Sequence, residues 1–84
     1  MYTVVLEPAA QRDIRKLAKA IHHRVLTALS KLETDPRHRG VRKLAAFEHQ
    51  WRVRVGEYRV LYEIDDDGRL VHVYRIAHRR EAYG

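Results

Sequence analysis

Residues 51–62, WRVRVGEYRVLY, gather guanidinium groups in a pattern suited to anion chemistry. Arg52 and Arg54 alternate with Trp51, Val53 and Val55, and Arg59 alternates with Tyr58 and Val60. Strand side chains point to opposite faces with period two, so each strand has an apolar side and a side that is partly basic. A two-residue turn at Gly56 and Glu57 sets Val55 opposite Tyr58, Arg54 opposite Arg59 and Arg52 opposite Leu61. Like charges directly across a ladder repel. A sheet that gathers them suits a bound anion, with phosphate the first candidate. Taken alone, Arg52 and Arg54 would serve equally as the solvated face of an amphipathic hairpin.

The end of the chain holds the other reactive types: His78, Arg79, Arg80 and Tyr83. If the last strand lies beside the hairpin, this tail reaches the basic face. Such a group suits cleavage of a phosphodiester in RNA. The 2′-hydroxyl attacks phosphorus, charge builds on the phosphoryl oxygens, and fixed guanidiniums stabilise it. A tyrosine among arginines has its phenolate favoured and can act as base, or stack on a nucleobase. His78 reads either as a proton donor or as a half-buried strand-end residue. No P-loop, HExxH or GxSxG is present. The six histidines form no acidic ligand set at helix spacing, and Asp65, Asp66 and Asp67 run into a glycine turn. No metal and no cofactor is expected.

These residues need a sheet and something to cover its other face. Residues 2–6 read as a short strand. Pro8 opens a helix, where its missing N–H costs nothing. Ala10, Ile14, Leu17, Ala18 and Ile21, then Val25, Ala28, Leu29 and Leu32, form one apolar stripe that ends before Pro36. A single helix over 8–34 would run about 40 Å, against about 30 Å for a compact domain of this size. Two antiparallel helices are therefore expected, turning within 19–23. Residues 37–49 read as a basic connector anchored by Leu44 and Phe47. Strands follow at 50–55, 58–64 and 70–77, with Asp67 and Gly68 at the second hairpin turn. The order is βααβββ, an α+β fold with both helices on one face of an antiparallel sheet.

Eighty-four residues make one small domain, with modest burial and a simple fold. The absence of cysteine excludes disulfides and thiolate zinc sites. No run of about 20 apolar residues could span a bilayer, and MYTVVLEP has no signal-peptide pattern. The expected location is the cytoplasm. A net charge of +6 and a pI near 10.1 point to a polyanion or an acidic protein as partner.

In these motifs the sequence resembles the RelE/ParE superfamily of bacterial type II toxin–antitoxin toxins, and its RelE side in particular. The resemblance rests on the helix pair ending before Pro36, the RKL at 42–44, the RVRVGEYRVLYEI core at 52–64 and the IAHRREAY ending at 76–83. It implies a ribosome-dependent endoribonuclease that cuts mRNA in the A site, leaving a 2′,3′-cyclic phosphate and a 5′-hydroxyl. The family's catalytic positions fall on Arg52, Arg54, Arg59, Arg79 and Tyr83. By that resemblance Arg54 and Arg59 clamp the scissile phosphate and Arg52 supports them. Arg79 stabilises the transition state or helps protonate the leaving oxygen, and Tyr83 is the base or the stacking partner. Arg42, Lys43 and Arg80 would contact RNA or ribosome.

Some positions depart from the family pattern. Arg52 and Arg54 stand where the family type has lysines; a guanidinium is a better fork but a poorer proton carrier. The spacing from Arg79 to Tyr83 is two residues shorter, and some relatives use a histidine near the end, which keeps His78 as an alternative acid or base. The implied partners are a cognate antitoxin with an acidic binding segment, the ribosome and mRNA, with no membrane. The other readings are a ParE-like inhibitor of DNA gyrase and an inactive toxin that acts as co-regulator with its antitoxin.

Overall fold

The structure is a computed structural model and describes residues 1–44 and 50–82. Its elements are β1 (Thr3–Leu6), α1 (Pro8–Arg15), α2 (Lys19–Thr34), β2 (Val41–Lys43), β3 (Gln50–Val55), β4 (Tyr58–Asp65), β5 (Leu70–His78) and α3 (Arg79–Ala82). The five strands form one sheet in the order β1-β5-β4-β3-β2. The fold is α+β, with α1 and α2 packed on one face of the sheet.

One strand pair runs parallel where an antiparallel sheet was expected: β1 lies alongside β5, with Thr3 opposite Leu70 and Leu6 opposite Val73. Every other pair is antiparallel. The connector also contains a strand that was not anticipated. Three residues with a single apolar member carry no periodic signal, and β2 exists because β3 offers it an open edge. Leu44 continues that pairing, its N–H donating to the Gln50 carbonyl (2.9 Å). Phe47, the other expected anchor, lies outside the described residues.

The helix break falls earlier than expected. α1 stops at Arg15, and Ala18 is extended (φ −62°, ψ 150°) before α2 begins. The apolar stripe stays in phase across the break, so periodicity could not locate it. Compactness requires it, since the longest dimension of the molecule is 34 Å. α2 ends as expected, with Asp35 extended (φ −151°) ahead of Pro36.

Val25, Leu29 and Leu32 of α2 and Ala10 and Ile14 of α1 meet Val53, Val55, Val60, Tyr62, Ile64, Val71, Val73 and Ile76 of the sheet in one core. The sheet residues all share the helix-facing parity. Tyr62 lies fully inside, its hydroxyl donating to the Pro36 carbonyl (2.6 Å). Burial holds this phenol well above its usual pKa. The opposite face of the sheet carries Gln50, Arg52, Arg54, Arg59, Leu61, Glu63 and His72. No described helix is long and apolar enough to cross a membrane.

Candidate active site

The hairpin between β3 and β4 closes as the alternation requires. Gly56 has φ +60° at the first central position of the turn, the sign found in a type II′ hairpin. Val55 faces Tyr58, Arg54 faces Arg59 and Arg52 faces Leu61. β2 adds Arg42 opposite Arg52. Three strands thus deliver arginines to one end of the open face. They line a cleft of about 190 Å³ formed by Gly40, Arg42, Arg52, Arg54 and Arg59. Among the described residues, every charged group of its lining is a cation.

Two of these side chains are held by nearby backbone. Arg54 Nε donates to the Gly56 carbonyl (3.1 Å), which folds it back over the turn. Arg59 is only 8% exposed, and its Nη1 donates to the Tyr58 carbonyl (3.2 Å).

Gly40 and Arg42 arrive on a segment clamped at its start. Arg37 grips Asp66 of the β4–β5 loop through both carboxylate oxygens (2.9 and 2.8 Å) and lies over the Trp51 ring (5.5 Å). Tyr2 donates to the same carboxylate (2.6 Å). These bonds from Arg37 and Tyr2 hold the Asp66 carboxyl down to about 2.

The tail forms a second cleft, wide and open, of about 740 Å³, lined by Glu57, His78, Arg79 and Arg80. The Arg79 N–H donates to the Glu57 carbonyl (2.7 Å), and its Nε lies 3.4 Å from the Glu57 carboxylate. β5 sets Ala77 opposite Arg59 and His78 opposite Tyr58. The tail therefore begins at the sheet end where Arg54 and Arg59 sit. The Gly56–Glu57 turn lies between the two clefts.

Not every expected residue joins the arginine cleft. His78 pairs with Tyr58 on the helix-facing parity, its ring edge-on to the tyrosine (5.4 Å, 79°), and its Nδ1 accepts from the Arg80 N–H (3.3 Å). Lys43 sits opposite Trp51, on the other face from Arg52. Tyr83 lies outside the described residues. Sequence reasoning missed Gly40 as a lining residue and did not place Arg42 beside Arg52. The RKL motif was the available signal for Arg42, but its position depends on the unanticipated β2. Among the described residues no cluster of three or more His, Cys, Asp or Glu could hold a metal.

Comparison with known proteins gives the family. The family model described as ParE toxin of type II toxin–antitoxin system, parDE, matches residues 4–83. Toxin RelG of Mycobacterium tuberculosis is 34% identical over 83 residues, 98% of this chain and 95% of that protein. The chain belongs to the RelE/ParE superfamily of type II toxins. Among solved structures, the toxin resembles a chain of the RelBE2 toxin–antitoxin complex of Mycobacterium tuberculosis (34% identity, TM-score 0.81, 93% of this chain and 98% of that chain). It also resembles a chain of the archaeal RelE–RelB complex of Pyrococcus horikoshii OT3 (26%, TM-score 0.82, 93% and 94%). The intact E. coli RelBE complex shares the fold (20%, TM-score 0.83, 93% and 96%).

Proposed function

We propose that this toxin is a ribosome-dependent endoribonuclease that cuts mRNA in the A site and so stops translation. The observation that carries the reading is the cleft of Arg42, Arg52, Arg54 and Arg59, with no carboxylate among its described lining residues, at the sheet end where the tail begins. The 2′-hydroxyl attacks the adjacent phosphorus, the 5′-oxygen leaves, and a 2′,3′-cyclic phosphate remains. Arg54 and Arg59 hold the phosphoryl oxygens as negative charge grows on them, while Arg52 and Arg42 complete the cationic wall. Guanidiniums carry protons poorly, so the proton transfers fall to the tail. Tyr83 is the proposed base or stacking partner, and His78 the alternative acid or base. Arg79, now against Glu57, turns to the leaving oxygen when RNA is bound. Lys43, outside both clefts, and Arg80, on the wall of the tail cleft, contact RNA or ribosome.

The proposed regulator is a cognate antitoxin whose acidic segment covers the basic face and folds as it binds. The complexes formed by the RelE relatives support such a partner. The expected place of action is the cytoplasm, where the ribosomes are.

A second reading has one specific support: the matching family model is the ParE model. On that reading the toxin inhibits DNA gyrase without cutting RNA. One assay separates the two. Purified toxin is added to programmed ribosomes carrying labelled mRNA and, separately, to gyrase with plasmid. A-site cleavage that disappears in Arg59→Ala and Tyr83→Phe supports the nuclease. Loss of supercoiling with intact mRNA overturns it.

A further inference from the structure

The ladder between β4 and β5 is interrupted once. Leu61 pairs with Arg75 and Tyr62 with Val73, which leaves Tyr74 as the extra residue of a β-bulge. Bulges re-aim a side chain out of the regular alternation and are enriched next to active sites. Here the re-aimed side chain runs sideways. The Tyr74 hydroxyl donates to Gln50 Oε1 (3.1 Å), and Gln50 lies on β3, with β4 between them. Spanning two inter-strand spacings, about 9.6 Å, requires the side chain to lie across β4. It crosses on the face that carries Leu61 and Glu63. Gln50 is fixed in turn, its Nε2 donating to Glu63 Oε1 (3.2 Å). Tyr74, Gln50, Glu63, His72 and Glu7 line a shallow depression of about 390 Å³.

We infer that Tyr74 is a stacking platform for the nucleobase beside the phosphate held in the arginine cleft; this rests on the RNA-cleavage reading. Three observations carry it. First, Gln50, Arg52 and Arg54 are alternate residues of one strand on one face, so the depression begins two residues, about 6.6 Å, from Arg52. Second, a half-buried ring anchored by its hydroxyl and lying along a sheet is the arrangement by which sheet-based RNA binders take a base. Third, the charge changes sign along the face. Glu7 and Glu63 repel a phosphate at this end while the arginines attract one at the other. An RNA strand therefore places backbone at the arginines and an uncharged base over Tyr74.

The test uses the purified toxin and a fluorescent 2′-O-methyl RNA hexanucleotide, which cannot be cut, together with a version carrying an abasic site at its centre. Tyr74→Ala should weaken binding of the intact hexamer about 5- to 150-fold, the span that one base–aromatic stack supplies. The same variant should barely change binding of the abasic hexamer. Tyr74→Phe keeps the ring and should retain most of the affinity, and thermal midpoints of both variants report whether the fold is intact. Arg54→Ala should weaken both RNAs alike. If Tyr74→Ala, folded, binds the intact hexamer as wild type does while Arg54→Ala does not, the platform is refuted and the phosphate cleft stands. If the wild type binds neither RNA, the platform is refuted, and the cleavage reading stands or falls on the programmed-ribosome assay.

Discussion

Replacing Tyr62 with Phe removes a single hydroxyl from the centre of the fold, and the structure gives the size of the effect. The ring is fully buried and its hydroxyl donates to the Pro36 carbonyl at 2.6 Å. Pro36 is buried as well, so no water replaces the lost donor. Stranding a buried acceptor costs about 1–3 kcal/mol. At about 4–8 °C per kcal/mol for a domain of this size, the midpoint should fall by roughly 10 °C, a large part of so small a protein's stability. Tyr2→Phe is the control: it loses a hydroxyl bond of the same 2.6 Å length, but to the exposed Asp66, where water takes over, and its midpoint should barely move. Circular dichroism melts of the three proteins decide the matter. A Tyr62→Phe midpoint within about 2 °C of wild type would refute the reasoning. The pH dependence gives a second reading. The phenol's pKa is raised in the fold, so its contribution is whole below the unfolded value near 10 and drains away as pH climbs above it. The gap between wild type and Tyr62→Phe should therefore narrow from pH 9 to pH 11.

Three further outcomes are expected. Asp66 is held down to about 2, so its stabilising contribution is present above pH 4 and lost as pH falls from about 4 towards 2; Asp66→Asn should flatten that part of the acid melt. Arg54 is exposed, so Arg54→Ala should leave the melting midpoint within about 3 °C while lowering mRNA cleavage on programmed ribosomes at least about 100-fold. Gly56 holds φ +60° with Arg24 Nη1 3.3 Å from where a Cβ would sit; Gly56→Ala should cost about 1–3 kcal/mol by urea unfolding.

The parts of this fold that were legible in the sequence are those fixed by local period and turn chemistry. The β3–β4 register followed from strict alternation on both sides of Gly56 and Glu57, and every predicted pair is present. The stop at Pro36 followed from sterics. What could not be read depends on partners distant in sequence. β2 exists only because β3 has an edge, and β1 shows no sign in its own residues that its neighbour runs parallel. The second hairpin was read as a turn at Asp67 and Gly68, but the left-handed residue is Arg69, with φ 54°. Tyr74 was invisible as a site residue because the extra residue in β5 belongs to a pairing between strands. The arginines were legible as a group, and their separation from the tail cleft was not.

The parallel seam between β1 and β5 also sets when the molecule can come into being. Thr3 waits for Leu70, and Arg59 on β4 lacks its second flanking strand until Ala77 is in place. A chain emerging N-terminus first therefore exposes the helices and the arginine hairpin before their sheet can close. Non-local closure of this kind is slow relative to helix formation. During that interval the unpaired side of β4 is a bare strand edge, open to whatever extended segment reaches it first.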